Sequence, residues 1–242
     1  MQDWKQLLYD HYISTDQAGR NIRLEDGLRI SNYPYYRKLI ETHLPEQNDI
    51  AIADIACGHG ALVFCLNELG YSNVKGVDIS PEQVDLAHKL GITDVESQDM
   101  NTFLSANENA FDVVFLMDIL EHLEKAELFD LLERVRNALR KGGIVIIHIP
   151  NAEGLFGLRM RYGDLTHENC FTPGSIRQAL SVFGFQNILC FEDKPVVHGG
   201  KSLFRYIAWE ILTIPGRLLL MAETGATRHI LSQNMLVSAS VP

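Results

Sequence analysis

The chain has 242 residues, 46% hydrophobic and 21% charged, with a formal net charge of −10. This is the profile of a globular domain, or a domain with a lobe, that can bury a sizeable core. So acidic a balance speaks against nucleic acid or an anionic membrane as partners held by bulk electrostatics, and leaves room only for a local basic patch. Four cysteines without paired metal spacing (Cys57, Cys65, Cys170, Cys190), no signal-peptide pattern and no apolar run of ~18 residues point to a reduced, cytoplasmic setting.

In chain order, Trp4, Leu7, Leu8 and Tyr12 have the spacing of a short amphipathic helix, and a polar stretch follows from Ser14 to Gly27. A second helix is expected from Tyr33 to about Leu44. From Ile50 to His148 strands and helices alternate. The expected strands are Ile50–Ile55, Val74–Asp78, Asp94–Gln98, Phe111–Met117 and Ile144–Ile147, with a turn at Lys141-Gly142-Gly143 before the last. The expected helices begin after Gly60 and run from Pro81 to Leu90 and from Lys125 to Leu139. Alternation of this kind implies a doubly wound, mostly parallel α/β sheet. After it come a loop at 150–172, a helix from Ser175 to Phe183 and a strand from Phe185 to Glu192. Two apolar helical pieces broken at Pro215-Gly216 follow, and then a final strand, Met235–Val241.

Parallel sheets bind ligands beyond the carboxyl ends of their strands. Asp54, Asp78, Asp99 and Asp118 all fall at such ends, and a small-residue loop follows Asp54 at once. Each aspartate alone would be read as a helix cap; four in register point to a site. A dinucleotide fingerprint would need a third glycine where this loop has Val63.

Asp54-Ile-Ala56-Cys57-Gly58-His-Gly60 resembles the first motif of class I S-adenosylmethionine-dependent methyltransferases, with Ala56 where glycine is commoner. Val77-Asp78-Ile79-Ser80 is similar to the second motif, Asp99-Met100 to the adenine-edge pair, and the segment from Phe111 through Met117 to His122 to the fourth motif. The resemblance covers about Ile50 to Ile149 and implies a seven-stranded, Rossmann-like sheet. It also implies S-adenosyl-L-methionine as cofactor, held by Asp54, Ala56, Cys57, Gly58, Gly60, Asp78, Ile79, Gln83, Asp99, Met100 and Met117, under a lid at 1–48 that supplies Tyr33 and Tyr36. Asp78 is expected at the ribose hydroxyls and Ile79 against the adenine.

The segment Asp118-Ile-Leu-Glu121-His122 resembles clusters in quinone-pathway O-methyltransferases, some of which hold a divalent cation such as magnesium. Asp118, Glu121 and His122 are the corresponding ligands here, while Glu121, His122 and His167 are the candidate catalytic groups. His167 leads as the base, because methylating a hydroxyl requires removing its proton. Arg159, Arg161, Tyr162 and Glu168 are expected to meet the acceptor, the arginines suiting a phosphate or carboxylate. His148 reads as a structural histidine. Together these residues lean toward O-methylation of a sugar or glycan-type acceptor, phosphorylated or lipid-linked, with a phenolic quinone precursor as the alternative. A non-catalytic binding partner is a further alternative, which the intact motif set opposes. For the insertion at 193–233 the expected roles are core packing, homodimer contact, or contact of 201–223 with lipid or a membrane surface.

Overall fold

The computed structural model describes residues 8, 22–23, 29–30 and 32–242, so the helix expected around Trp4 lies outside the described residues except at Leu8. Ile22–Arg23, inside the stretch expected to be polar, pairs antiparallel with Arg29–Ile30 just beyond it.

Seven strands form one sheet: β1 Ile52–Ile55, β2 Val74–Asp78, β3 Val95–Ser97, β4 Phe111–Met117, β5 Leu139–Pro150, β6 Gln186–Glu192 and β7 Asn234–Ser240. Their order is β3-β2-β1-β4-β5-β7-β6, parallel except for β7, which runs antiparallel to both neighbours. The expected doubly wound α/β class therefore holds. Chain order reverses between β1 and β4, which opens a crevice at their carboxyl ends.

The strands are apolar on both faces because helices cover both. Along β4, Val113 and Phe115 enter one core and Val114 and Leu116 the other, following the two-residue period of a strand. Helices α1 (Tyr33–His43), α2 (Ala61–Glu68) and α3 (Pro81–Lys89) pack on the first face through Ile40, Leu66 and Ala87. On the second face α4 (Met100–Ala106), α5 (Lys125–Ala138) and α7 (Pro173–Val182) pack through Leu104, Leu132 and Leu180. Reciprocal hydrogen bonds cap α5 (Glu124 with Glu127) and α7 (Thr172 with Ser175), so each start is fixed locally.

Two local expectations are corrected. The turn at Lys141-Gly142-Gly143 is an irregularity inside β5: Leu139 already pairs with Phe111, and regular pairing resumes at Val113–Ile144. Gly142 takes φ +78° there and donates its N–H to the Val241 carbonyl. The insertion breaks at Thr213, between α8 (Gly200–Leu212) and α9 (Ile214–Thr224), rather than at Pro215-Gly216. A proline fits the first turn of a helix, where its missing N–H is no loss.

Candidate active site

The loop after β1 is made by backbone that most residues avoid. Ala56, Gly58 and Gly60 all take positive φ, at 56°, 56° and 76°. A Cβ on Gly60 would lie 2.8 Å from Val95 Cγ2, so this position is closed for packing. At Gly58 the nearest atom to such a Cβ is Gln83 Oε1, 3.9 Å away, which leaves the loop open on that side. The Gly58 N–H donates to Asp78 Oδ2 at 2.8 Å and the Ser80 N–H to Oδ1 at 2.9 Å, tying the ends of β1 and β2 together. Cys57 serves through its backbone, donating its N–H to the Val77 carbonyl.

Asp54 is buried with Oδ1 unpartnered. Burial, reinforced by the charge of Asp78, pushes its carboxyl up to about 8. His59 Nε2 and Gln83 Oε1 are also buried without partners. Ile79 is 74% exposed just beyond Asp78, an apolar platform beside two carboxylates. Asp99 caps α4, its Oδ1 accepting from the Thr102 N–H at 2.8 Å, and Met100 packs on the core. Orphaned polar atoms, an open glycine face and an exposed apolar platform fit S-adenosylmethionine: an ammonium tail at Asp54 and an adenosine across Asp78 and Ile79.

A second cluster lies beyond β4. Glu121, His122 and His167 each bring a ligating atom within 4.8 Å of the others. Thr166 Oγ1 donates to Asp164 Oδ1 at 2.6 Å, so it accepts from His122 Nδ1–H at 2.8 Å. His167 Nδ1–H donates to the Met160 carbonyl at 2.8 Å. Each ring is thereby fixed in the tautomer whose basic nitrogen is Nε2. Glu121 Oε2 is buried without a partner, and burial followed by the charge of Asp118 pushes its carboxyl up.

Asp118 does not join that cluster as the ligand grouping had placed it. It sits at φ +55° with Oδ1 2.6 Å from His148 Nδ1, its side chain 56% exposed to the cleft. His148 Nε2–H reaches Asp193 Oδ2 at 3.3 Å, and Tyr35 packs edge-on at 6.0 Å. Burial works against the His148 cation, but Asp118 and Asp193 outweigh it and hold the ring well above its ordinary pKa. In return the charge and hydrogen bond of His148 keep Asp118 below the usual carboxylate range. His148 is therefore a cation bridging two carboxylates. Sequence reasoning missed this because Asp193 is 45 residues away along the chain.

Tyr35, Met117, Asp118, His148, Asp193 and Trp209 line part of a cavity of about 580 Å³ between α1, the strand ends and the insertion. Tyr36 lines it too, while Tyr33 is half-buried against the α1–α2 core. Arg161 is spent on structure: its Nη1 donates to the His167 carbonyl and its guanidinium lies 5.2 Å from the Tyr162 ring centroid. The Glu168 N–H donates to the Glu121 carbonyl at 2.6 Å, and Arg159 and Tyr162 face solvent.

Residues 52–143 match a family model described as a methyltransferase domain. A tRNA U34 carboxymethyltransferase of Desulfotalea psychrophila is 29% identical over 120 residues, 48% of this chain and 37% of that protein. A ubiquinone biosynthesis O-methyltransferase of Rickettsia bellii is 28% identical over 122 residues, 48% of this chain and 49% of its own. The chain thus spans half or less of the length of these two relatives. A SAM-dependent methyltransferase structure from Archaeoglobus fulgidus superposes with a TM-score of 0.65 at 20% identity, covering 86% of this chain and 94% of that one. Residues 52–143 thus match a methyltransferase domain, and the chain carries the Rossmann-like fold found in S-adenosylmethionine-dependent methyltransferase structures.

Proposed function

We propose that the chain transfers the methyl group of S-adenosylmethionine to a hydroxyl oxygen of a small acceptor lying over the carboxyl ends of β4 and β5. The observation that carries this reading is the convergence of Glu121, His122 and His167 with both Nδ1 atoms already donating. As the oxygen attacks the methyl carbon and the carbon–sulfur bond breaks, the hydroxyl proton passes to His167 Nε2. Arg161 holds the His167 backbone in place, and the remaining rate enhancement comes from alignment in the cleft. In place of that base role, Glu121, His122 and His167 would hold a divalent cation such as magnesium, which would occupy His167 Nε2, because an unpartnered buried carboxylate oxygen faces two oriented imidazoles. Such an ion, when bound, lowers the pKa of the acceptor hydroxyl.

The polar wall of the cavity (Asp118, Asp193, Asn234) beside Tyr35 and Trp209 supports a hydroxylated ring such as a sugar or glycan unit. A phenolic quinone precursor is the second reading, supported by the ubiquinone-pathway relative. Methyl-labelled cofactor incubated with sugars, sugar phosphates and catechols, with and without EDTA and magnesium, tests both. Label should appear on oxygen in one acceptor class; indifference to chelation keeps His167 as the base, and a fall restored by magnesium assigns its Nε2 to the cation instead. Failure of the purified chain to bind S-adenosylmethionine in a calorimeter overturns the proposal.

A further inference from the structure

The two insertion helices are amphipathic the wrong way round for a core. On α8, Ser202, Tyr206 and Trp209 turn toward the body, and Glu210 forms an ion pair with Lys194 at 2.7 Å. On α9 the body side holds Arg217, paired with Glu192 at 2.6 Å, and Gly216, where a Cβ would sit 3.5 Å from Leu231 Cδ1. The apolar stripe of each helix therefore faces outward. On α8 it is Leu203, Phe204, Ile207 and Ile211, spaced as one helical face, with Phe204 73% exposed. On α9 it is Ile214, Leu218, Leu219 and Met221, with Leu219 71% exposed. The loop carrying α6 (Gly157–Arg161) extends the patch: Leu155 Cδ2 lies 3.7 Å from the same Gly216 Cβ position, and Phe156 and Leu158 are exposed. A patch this contiguous marks an interaction site.

Its charge selects the occupant. Lys201 and Arg205 lie exposed beside the α8 stripe, and neither is ion-paired among the described residues. The acidic Glu210 and the basic Arg217 are both consumed in ion pairs on the inner side. On a chain of net charge −10, the α8 stripe is thus flanked by unpaired cations, with the exposed Glu223 set apart at the far end of α9. A second copy of the chain docking there would bring both sets of cations to one interface, where lysine is depleted. Nor do the helices span: no helix among the described residues is long and apolar enough to cross a membrane. A short helix with one apolar face and flanking cations suits the plane of a lipid interface.

We propose that the outer face of α8, α9 and the adjoining α6 loop docks on an anionic phospholipid bilayer. Phe156 and Arg205 also line the cavity of the candidate active site, so its mouth adjoins the lipid. If the methyl-transfer reading holds, the acceptor is then one presented at a membrane, its reactive ring in the cavity.

The test is flotation of the full chain with vesicles of phosphatidylcholine alone or with about one third phosphatidylglycerol. The chain should float with the anionic vesicles and at least about tenfold less with the neutral ones. Phe204→Asp with Leu219→Asp should abolish flotation and leave S-adenosylmethionine binding intact, which separates this proposal from failure of the methyl-transfer reading. A control, Val182→Asp on exposed α7 surface, should float normally. Lys201→Ala with Arg205→Ala should lose about tenfold of the anionic preference while keeping the fold. A chain that stays with neither vesicle, or floats equally well with both stripe residues changed, overturns the proposal. So does a dimer that the stripe substitutions convert to monomer with no vesicle binding.

Discussion

Asp54 offers a direct test of how the cofactor loop is built. Its carboxyl is buried, has an oxygen without a partner, and titrates at about 8 in the fold against 3.8 in its ordinary state. The folded chain therefore holds a proton that the unfolded chain releases between those values. The stability this provides is complete below about pH 4, declines as pH rises, and is lost above about pH 8. Ionising the group in the folded state costs up to roughly 6 kcal/mol, at about 1.4 kcal/mol for each pH unit of displacement. Asp54→Asn cannot ionise and has the same size. Urea unfolding from pH 4 to pH 9 should show the variant close to the parent at the acid end and more stable by about 4–6 kcal/mol at the alkaline end. The variant should also bind S-adenosylmethionine roughly ten- to a hundredfold more weakly, because the arriving ammonium group favours the ionised form of Asp54 and an amide cannot supply that charge. Parallel pH profiles for the two proteins would refute the reasoning.

Two further outcomes follow from the site geometry. Gly60→Ala places a Cβ 2.8 Å from Val95 Cγ2 at a left-handed φ, so thermal unfolding should fall by roughly 3–10 °C, about 1–3 kcal/mol. An unchanged Tm would mean that the loop is not packed as described. His167→Ala should lower kcat by about a hundredfold or more without weakening cofactor binding. Full turnover in single-turnover assays would remove the base assignment.

The strand–helix alternation was legible because each segment carries its own period and its own stop signals, and the carboxylates were legible because they end strands. The cofactor loop at Asp54–Gly60 could be read for the same reason: its geometry is local. The partner of Asp118 could not be read, because sequence spacing favoured Glu121 and His122 while the folded sheet sets β5 alongside and delivers His148. Arg161 likewise looks in the sequence like a partner for an anionic acceptor, and only the fold turns it back on the His167 carbonyl. For the insertion, apolar periodicity predicted two helices correctly but could not say which way their faces turn. That depended on the ion pairs of Glu210 and Arg217, whose partners lie in and just after β6.

The Asp118–His148–Asp193 bridge joins β4, β5 and the start of the insertion, and Tyr35 adds the first helix. Contacts between such distant points of the chain carry a high loop-closure entropy, so they form after the sheet has nucleated. The helices they help anchor bury almost none of their own apolar surface, and so belong to the low-stability end of the molecule. Hydrogen exchange should then be faster in α8 and α9 than in β4 and β5, and equal protection in the two would mean that the insertion is as firmly held as the sheet beneath it.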